Sequence, residues 1–232
     1  MRAQAVTRPS VRTADLLATN SAALDTAAHV ASGHTLRTCF LAMRLAEALG
    51  VGDRDRAALL YAALFHEAGA GHETKPAVLS RGSEDERRVR EHARARRGAQ
   101  IVLGAGFGPE VAVTVMALHE HWDGRGLPIG LAGSAIPLFA RMVGVCHDLD
   151  FLTQQHGPRN AEQTIHARTG SWYEPELAGV LLALCSNGLW RELDDAELAD
   201  RVADLEPSWL ERRSDRHDAK RIRIALGSGR AS

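Results

Sequence analysis

Apolar side chains recur every third or fourth residue through most of this chain, and in no segment do they alternate with polar ones. That period gathers them on one face of a helix, whereas a half-buried strand needs a period of two. In HTLRTCFLAMRLAEALG, residues 34–50, Leu41, Leu45 and Leu49 lie four apart and Gly50 is a natural stop. The same spacing predicts helices over 34–49, 54–68, 84–103, 109–121, 137–155 and 175–187. SEDE at 83–86 has capping-box form, so Ser83 should start one of them. Pro137 and Pro175 suit first helical turns. The expected fold is all-α, a helical bundle without internal repeats.

A chain of 232 residues can bury a sizeable core. Three stretches are distinguished: an N-terminal segment 1–29, a main domain 30–190, and a C-terminal helix with a basic tail over 191–232. The arginine-rich tail reads as a partly helical end, with a docking arm for an acidic partner as the alternative. Lys+Arg total 28 against 29 Asp+Glu, a net charge of −1, which argues against DNA binding. Aromatics at 5% give no stacking platform for single strands. No apolar run reaches the roughly 18 residues that cross a bilayer. The start of the chain lacks the apolar core of a signal peptide. Cys39, Cys146 and Cys185 form no CxxC pair and no disulfide framework. A reducing, cytoplasmic setting is expected.

The chemistry concentrates where histidines meet apolar helices. His34 precedes the first of them, His66 and Glu67 close the second, His119 ends another, and His147 lies within a fourth. One such histidine is ordinarily a core or rim residue. Four, from four helices, together with a carboxylate, suit a divalent transition metal such as iron, manganese or zinc, and bundles build metal sites in this way. ALHEHWDGRGLPIGLAG, residues 117–133, follows His119 with four glycines, enough to bend a loop sharply beside such a site.

HEHWDGRGLPIGLAGSAIPLFARMVGV resembles the HD-GYP branch of the HD superfamily of metal-dependent phosphohydrolases. LLYAALFHEAG, GHTLRTCFLAMRLAEALGV and GSWYEPELAGVLLAL extend the resemblance over roughly residues 30–190. It implies an HD-type helical bundle in which His34, His66, Glu67, His119 and His147 face a metal. Glu120 or Asp148 would accept a proton. Arg37 would hold a phosphate or anchor its helix. The loop residues Asp123, Gly124, Gly126 and Pro128, with Arg141, would shape the substrate side, Asp123 and Arg141 by fixing the loop through charge-assisted hydrogen bonds. Trp122 reads as core.

The chain also departs from the family pattern. Glu67 replaces the HD aspartate, Ala70 the lysine, Arg94 the middle histidine, Leu118 the first of the paired histidines, Leu127 the tyrosine and His147 the last aspartate, with Asp148 adjacent. These changes imply one ion or none, and a substrate other than cyclic di-GMP itself. The leading reading is a divergent phosphodiesterase acting on a phosphoester or cyclic dinucleotide. The similarity to the eroded first halves of tandem HD-GYP regulators, seen in HARTGSWYEPEL, implies instead a regulatory domain with a protein partner or a second copy. A third reading is an HD-type diiron oxygenase.

Overall fold

The computed structural model describes residues 11–70, 83–193, 197–207, 213–214, 220 and 222. Among them, nine α-helices follow in order: α1 (Thr13–Ala28), α2 (His34–Ala48), α3 (Asp53–Phe65), α4 (Glu84–Gly104), α5 (Pro109–Met116), α6 (Leu138–His156), α7 (Pro158–Arg168), α8 (Pro175–Ser186) and α9 (Leu198–Asp204). The fold is all-α. Its strand structure among these residues is a two-residue antiparallel pairing of Val11–Arg12 with Arg213–Ser214.

Helix α2 is central, lying against α1, α3, α6, α8 and α9. Its Cys39, Phe40, Leu41 and Leu45 are buried with Leu59, Leu60 and Leu64 of α3 and Met142, Val145 and Leu149 of α6. Burial of each such side chain contributes about 1.5–3 kcal/mol. Ser83 caps α4 as its sequence requires: Ser83 Oγ accepts the Glu86 N–H at 3.2 Å, and the Ser83 N–H donates to the Glu86 carboxylate at 2.9 Å.

Two helices end before the apolar spacing suggests. The segment expected over 54–68 leaves helix geometry after Phe65. There Ala68 N–H reaches the Phe65 carbonyl at 2.8 Å and Ala70 N–H the Glu67 carbonyl at 3.0 Å, a tight turn. The segment expected over 109–121 stops at Met116: the Glu120 N–H turns back to the Ala117 carbonyl at 3.2 Å, and the His119 carbonyl accepts the Leu127 N–H of the loop at 2.9 Å.

Buried residues also lie on the far sides of the expected bounds at 30 and 190. Leu16, Leu17 and Leu24 of α1 are buried. Asp25 accepts the N–H of Gly33 at 2.7 Å and the N–H and hydroxyl of Thr35 at 2.9 and 2.6 Å, satisfying the start of α2. At the other end Leu193, Leu198 and Val202 are buried, and Tyr61 donates its hydroxyl to Glu206. Helix α7 was not anticipated, since only Ala161 and Ile165 form its buried stripe. The basic tail expected after Pro207 lies almost wholly outside the described residues. Among the described residues no helix is long and apolar enough to cross a membrane.

Candidate metal centre

The turn after α3 places His66 and Glu67 side by side, with His34 arriving from the first residue of α2 and His147 from the middle of α6. One donor atom from each of the four residues lies within 4.8 Å of all the others. Glu67 Oε1 is 3.9 Å from His34 Nε2, 3.6 Å from His66 Nε2 and 3.3 Å from His147 Nε2. The Nε2 atoms of His34 and His66 are 3.3 Å apart. A tetrahedral ion with bonds of about 2.0–2.1 Å separates its ligands by about 3.4 Å, so these residues fit a single ion.

The outer nitrogens agree with that geometry. His34 Nδ1 lies 2.7 Å from Asp150 Oδ2, His66 Nδ1 lies 2.6 Å from the Ala63 carbonyl, and His147 Nδ1 lies 2.9 Å from Asp148 Oδ1. Each acceptor calls for a proton on Nδ1, which for the neutral rings of His34 and His66 leaves the Nε2 lone pair facing inward. Two such lone pairs 3.3 Å apart repel unless a cation lies between them. Glu67 Oε1 is buried and receives no hydrogen bond of normal geometry. A buried carboxylate oxygen without a donor is costly, and a metal ion would satisfy it.

The electrostatics point the same way. Burial pushes the His66 imidazole down to about 3 and keeps it neutral. Burial also opposes charge on His147, but the Asp148 and Glu67 carboxylates on its two sides outweigh it and raise the ring to about 9. Burial would raise the Glu67 carboxyl, yet the Arg94 charge and the neighbouring histidines hold it well below the usual range. Asp148 is similarly held down to about 2 against burial, first by its hydrogen bond to His147. The carboxylates of Glu67 and Asp148 thus demand positive charge between them.

Arg94, from α4, donates through Nη2 to Glu67 Oε2. Two glycines allow α4 this close. A Cβ on Gly69 would collide with the Arg94 carbonyl, and one on Gly98 would lie 2.8 Å from Val115 Cγ1. Arg97 Nη1 clamps the crossing by donating to the Gly69 carbonyl at 2.7 Å.

Other expected site residues are placed differently. His119 stands outside the four-residue set, its ring 5.5 Å from that of His147, and burial brings it down to about 3. Glu120 points away from the centre. Its carboxylate accepts the backbone N–H groups of Ile129, Gly130 and Leu131 at 2.7–3.2 Å, so it holds the glycine-rich loop and is not positioned as a proton acceptor. Arg37 is committed to Asp150, with Nε 2.6 Å from Oδ1 and Nη2 3.2 Å from Oδ2, and anchors its helix instead of holding phosphate. Arg141 donates to the Ile136 carbonyl at 2.9 Å and to Glu174. Asp123 accepts the Arg125 N–H at 3.0 Å, which folds the loop. Gly124 lies inside the same loop at φ +79°, and Pro128 is buried after a cis peptide. Gly126 alone of these loop residues borders the cleft, where a Cβ would collide with the His121 amide. Trp122 is half-buried beside the Arg141 guanidinium.

Asp150 and Tyr173 escaped the sequence reading. Asp150 was detectable as an acid three residues after His147 in a buried helix. Tyr173, whose hydroxyl donates to Asp148 at 2.6 Å, carried no such signal.

The centre opens into a cleft of about 670 Å³. Glu67, Arg94, His119, Arg125, His147 and Asp148 are among the residues that line it. Its volume is within the range of small-molecule sites.

A family profile described as HD domain matches residues 14–177. A stretch of 116 residues, 50% of the chain, is 34% identical to the 3'3'-cGAMP-specific phosphodiesterase 3 of Vibrio cholerae, of which it covers 25%. Over 168 residues, 65% of the chain, it is 27% identical to the cyclic di-GMP phosphodiesterase of Thermotoga maritima, of which it covers 44%. The crystal structure of a cyclic GMP-AMP specific phosphodiesterase of Vibrio cholerae superposes with a TM-score of 0.83 at 25% identity, over 95% of this chain and 60% of that one. The chain therefore spans between a quarter and less than half of these curated relatives. It belongs to the HD domain family.

Proposed function

We propose that this HD-domain chain is a metal-dependent phosphohydrolase of the HD-GYP type, built around one divalent ion and acting on phosphodiesters. The observation that carries this reading is the convergence of three Nε2 atoms on the buried Oε1 of Glu67. His34, His66, Glu67 and His147 would hold the ion. Three imidazoles and one carboxylate suit iron, manganese or zinc better than magnesium or calcium. Such an ion lowers the pKa of bound water and polarises a phosphoryl oxygen.

The remaining residues orient and exclude. Asp150 and the Ala63 carbonyl fix the His34 and His66 rings. Asp148, braced by Tyr173, orients His147 and borders the cleft in ionised form. Glu120 holds the loop whose Gly126 edge walls the cleft. The names of the relatives make cyclic dinucleotides the first substrates to try.

The test is hydrolysis of bis(p-nitrophenyl) phosphate and 3'3'-cGAMP with manganese, iron or zinc. Metal-dependent turnover lost in both His66→Ala and His147→Ala is expected. Turnover surviving in both variants would overturn the reading.

One observation favours a second reading, a regulatory domain that binds without hydrolysing and acts through a protein partner or a second copy. Arg94 neutralises the carboxylate that a two-ion site would share. Binding of a cyclic dinucleotide with no turnover under any metal would favour it. The same arginine speaks against a diiron oxygenase, because a second iron would have to sit beside a fixed positive charge.

A further inference from the structure

We propose that His121, stacked on Trp172, is a base-binding shelf in the wall of the cleft, so that the phosphodiester taken by this centre carries a nucleobase. The inference rests on the phosphohydrolase reading above for the phosphate end of that ligand.

The two rings form a built surface. Their centres are 3.9 Å apart with planes 21° from parallel, and both residues line the cleft. Backbone hydrogen bonds fix the pair. The Trp172 carbonyl accepts the Trp122 N–H at 3.0 Å, and the Ser171 carbonyl accepts the Asp123 N–H at 2.8 Å, which ties the residues after His121 to the turn that carries Trp172. Arg168, the last residue of α7, brings its guanidinium carbon to 3.9 Å from the Trp172 ring centre. The stack is in place before a ligand arrives, and such preorganisation lowers the ordering cost of binding.

The polar edges of the rings are unused. A pair that only filled the core would be buried, whereas both of these side chains are half-buried at the cleft. Among the described residues, neither the ring nitrogens of His121 nor Nε1 of Trp172 makes a hydrogen bond. Burial lowers the His121 pKa from its ordinary value, so at neutral pH the ring is uncharged and offers one donor and one acceptor. A base laid on His121 meets a π-face beneath it and hydrogen-bonding groups at its edge. Every base has a π-face, so the shelf selects for a base and not for one particular base. Phe151, half-buried on α6 four residues after His147, adds a further ring to the same lining.

The experiment is calorimetry with adenosine 5'-monophosphate and ribose 5-phosphate, with and without manganese, in the parent, His121→Ala and His121→Phe. The two ligands carry the same phosphate. The charged lining residues Arg87, Glu91, Arg94 and Arg125 therefore act alike on both, and the ratio of affinities isolates the base. The parent should bind the nucleotide about tenfold or more tighter than the sugar phosphate. His121→Ala should bring the two affinities together and leave that for ribose 5-phosphate unchanged. His121→Phe, which keeps a ring on Trp172, should keep the preference. Equal affinities in the parent, binding of neither ligand, a preference that survives in His121→Ala or one that is lost in His121→Phe would each overturn the proposal. Should His121→Ala fail to fold, His121→Ser, which also removes the ring, decides in the same way. A parent that prefers the nucleotide but binds no manganese defeats the one-ion reading and leaves the shelf standing, whereas manganese binding without the preference does the reverse.

Discussion

His34 Nδ1 lies 2.7 Å from Asp150 Oδ2, and this contact between α2 and α6 decides which nitrogen of His34 faces the metal centre. Asp150 is fully buried and also binds Arg37, so one carboxylate orients a ligand and anchors a helix. Asp150→Asn keeps the shape and removes the charge that fixes the tautomer. Metal affinity by calorimetry should fall by about 10–100-fold. An unchanged dissociation constant would show that the His34 ring is oriented by packing alone.

Metal should stabilise the fold, because the four donors converge only in the native state. At a free concentration of about 100 times the dissociation constant the gain is about 2.7 kcal/mol. For a chain of this length that raises the melting temperature by about 5–10 °C. Manganese, iron and zinc are the ions to scan. His66→Ala and His147→Ala should lose the rise, and chelator should reverse it in the parent. Equal melting curves with and without all three ions would count against the centre.

Glu120 gives a prediction of opposite kind. Glu120→Ala strands the amides of Ile129, Gly130 and Leu131 and should cost about 1–3 kcal/mol by chemical denaturation. The loop should also become more sensitive to proteolysis. Metal affinity should not change, since the carboxylate lies outside the donor set. Loss of metal at unchanged stability would return Glu120 to the centre.

Gly69→Ala should act through packing. Its new methyl group meets backbone of α4, which cannot yield as a side-chain end can. Overpacking of this kind costs about 1–3 kcal/mol. A variant as stable as the parent would mean that α4 is free to shift.

Much of the fold was legible because helices carry their own local signature. The spacing of Leu41, Leu45 and Leu49 and the Ser83–Glu86 box declare helices without reference to any distant residue. Helix α7 was not legible, because two buried positions, Ala161 and Ile165, make too faint a stripe, and α1 fell within the N-terminal segment although Leu17 and Leu24 enter the common core. The four ligand-capable residues of the centre could be named from the family pattern they align with. What the amino-acid order alone determined, then, is a set of helices and a short roster of donor side chains. The tertiary structure decided how they are used. Only the folded backbone brings Asp150 to His34, turns Glu120 onto the amides of its own loop, and packs α4 on Gly69 so that Arg94 meets Glu67. Hydrogen bonds and ion pairs are set by distances of a few ångströms between segments far apart in the chain, and those distances exist only once the core has packed.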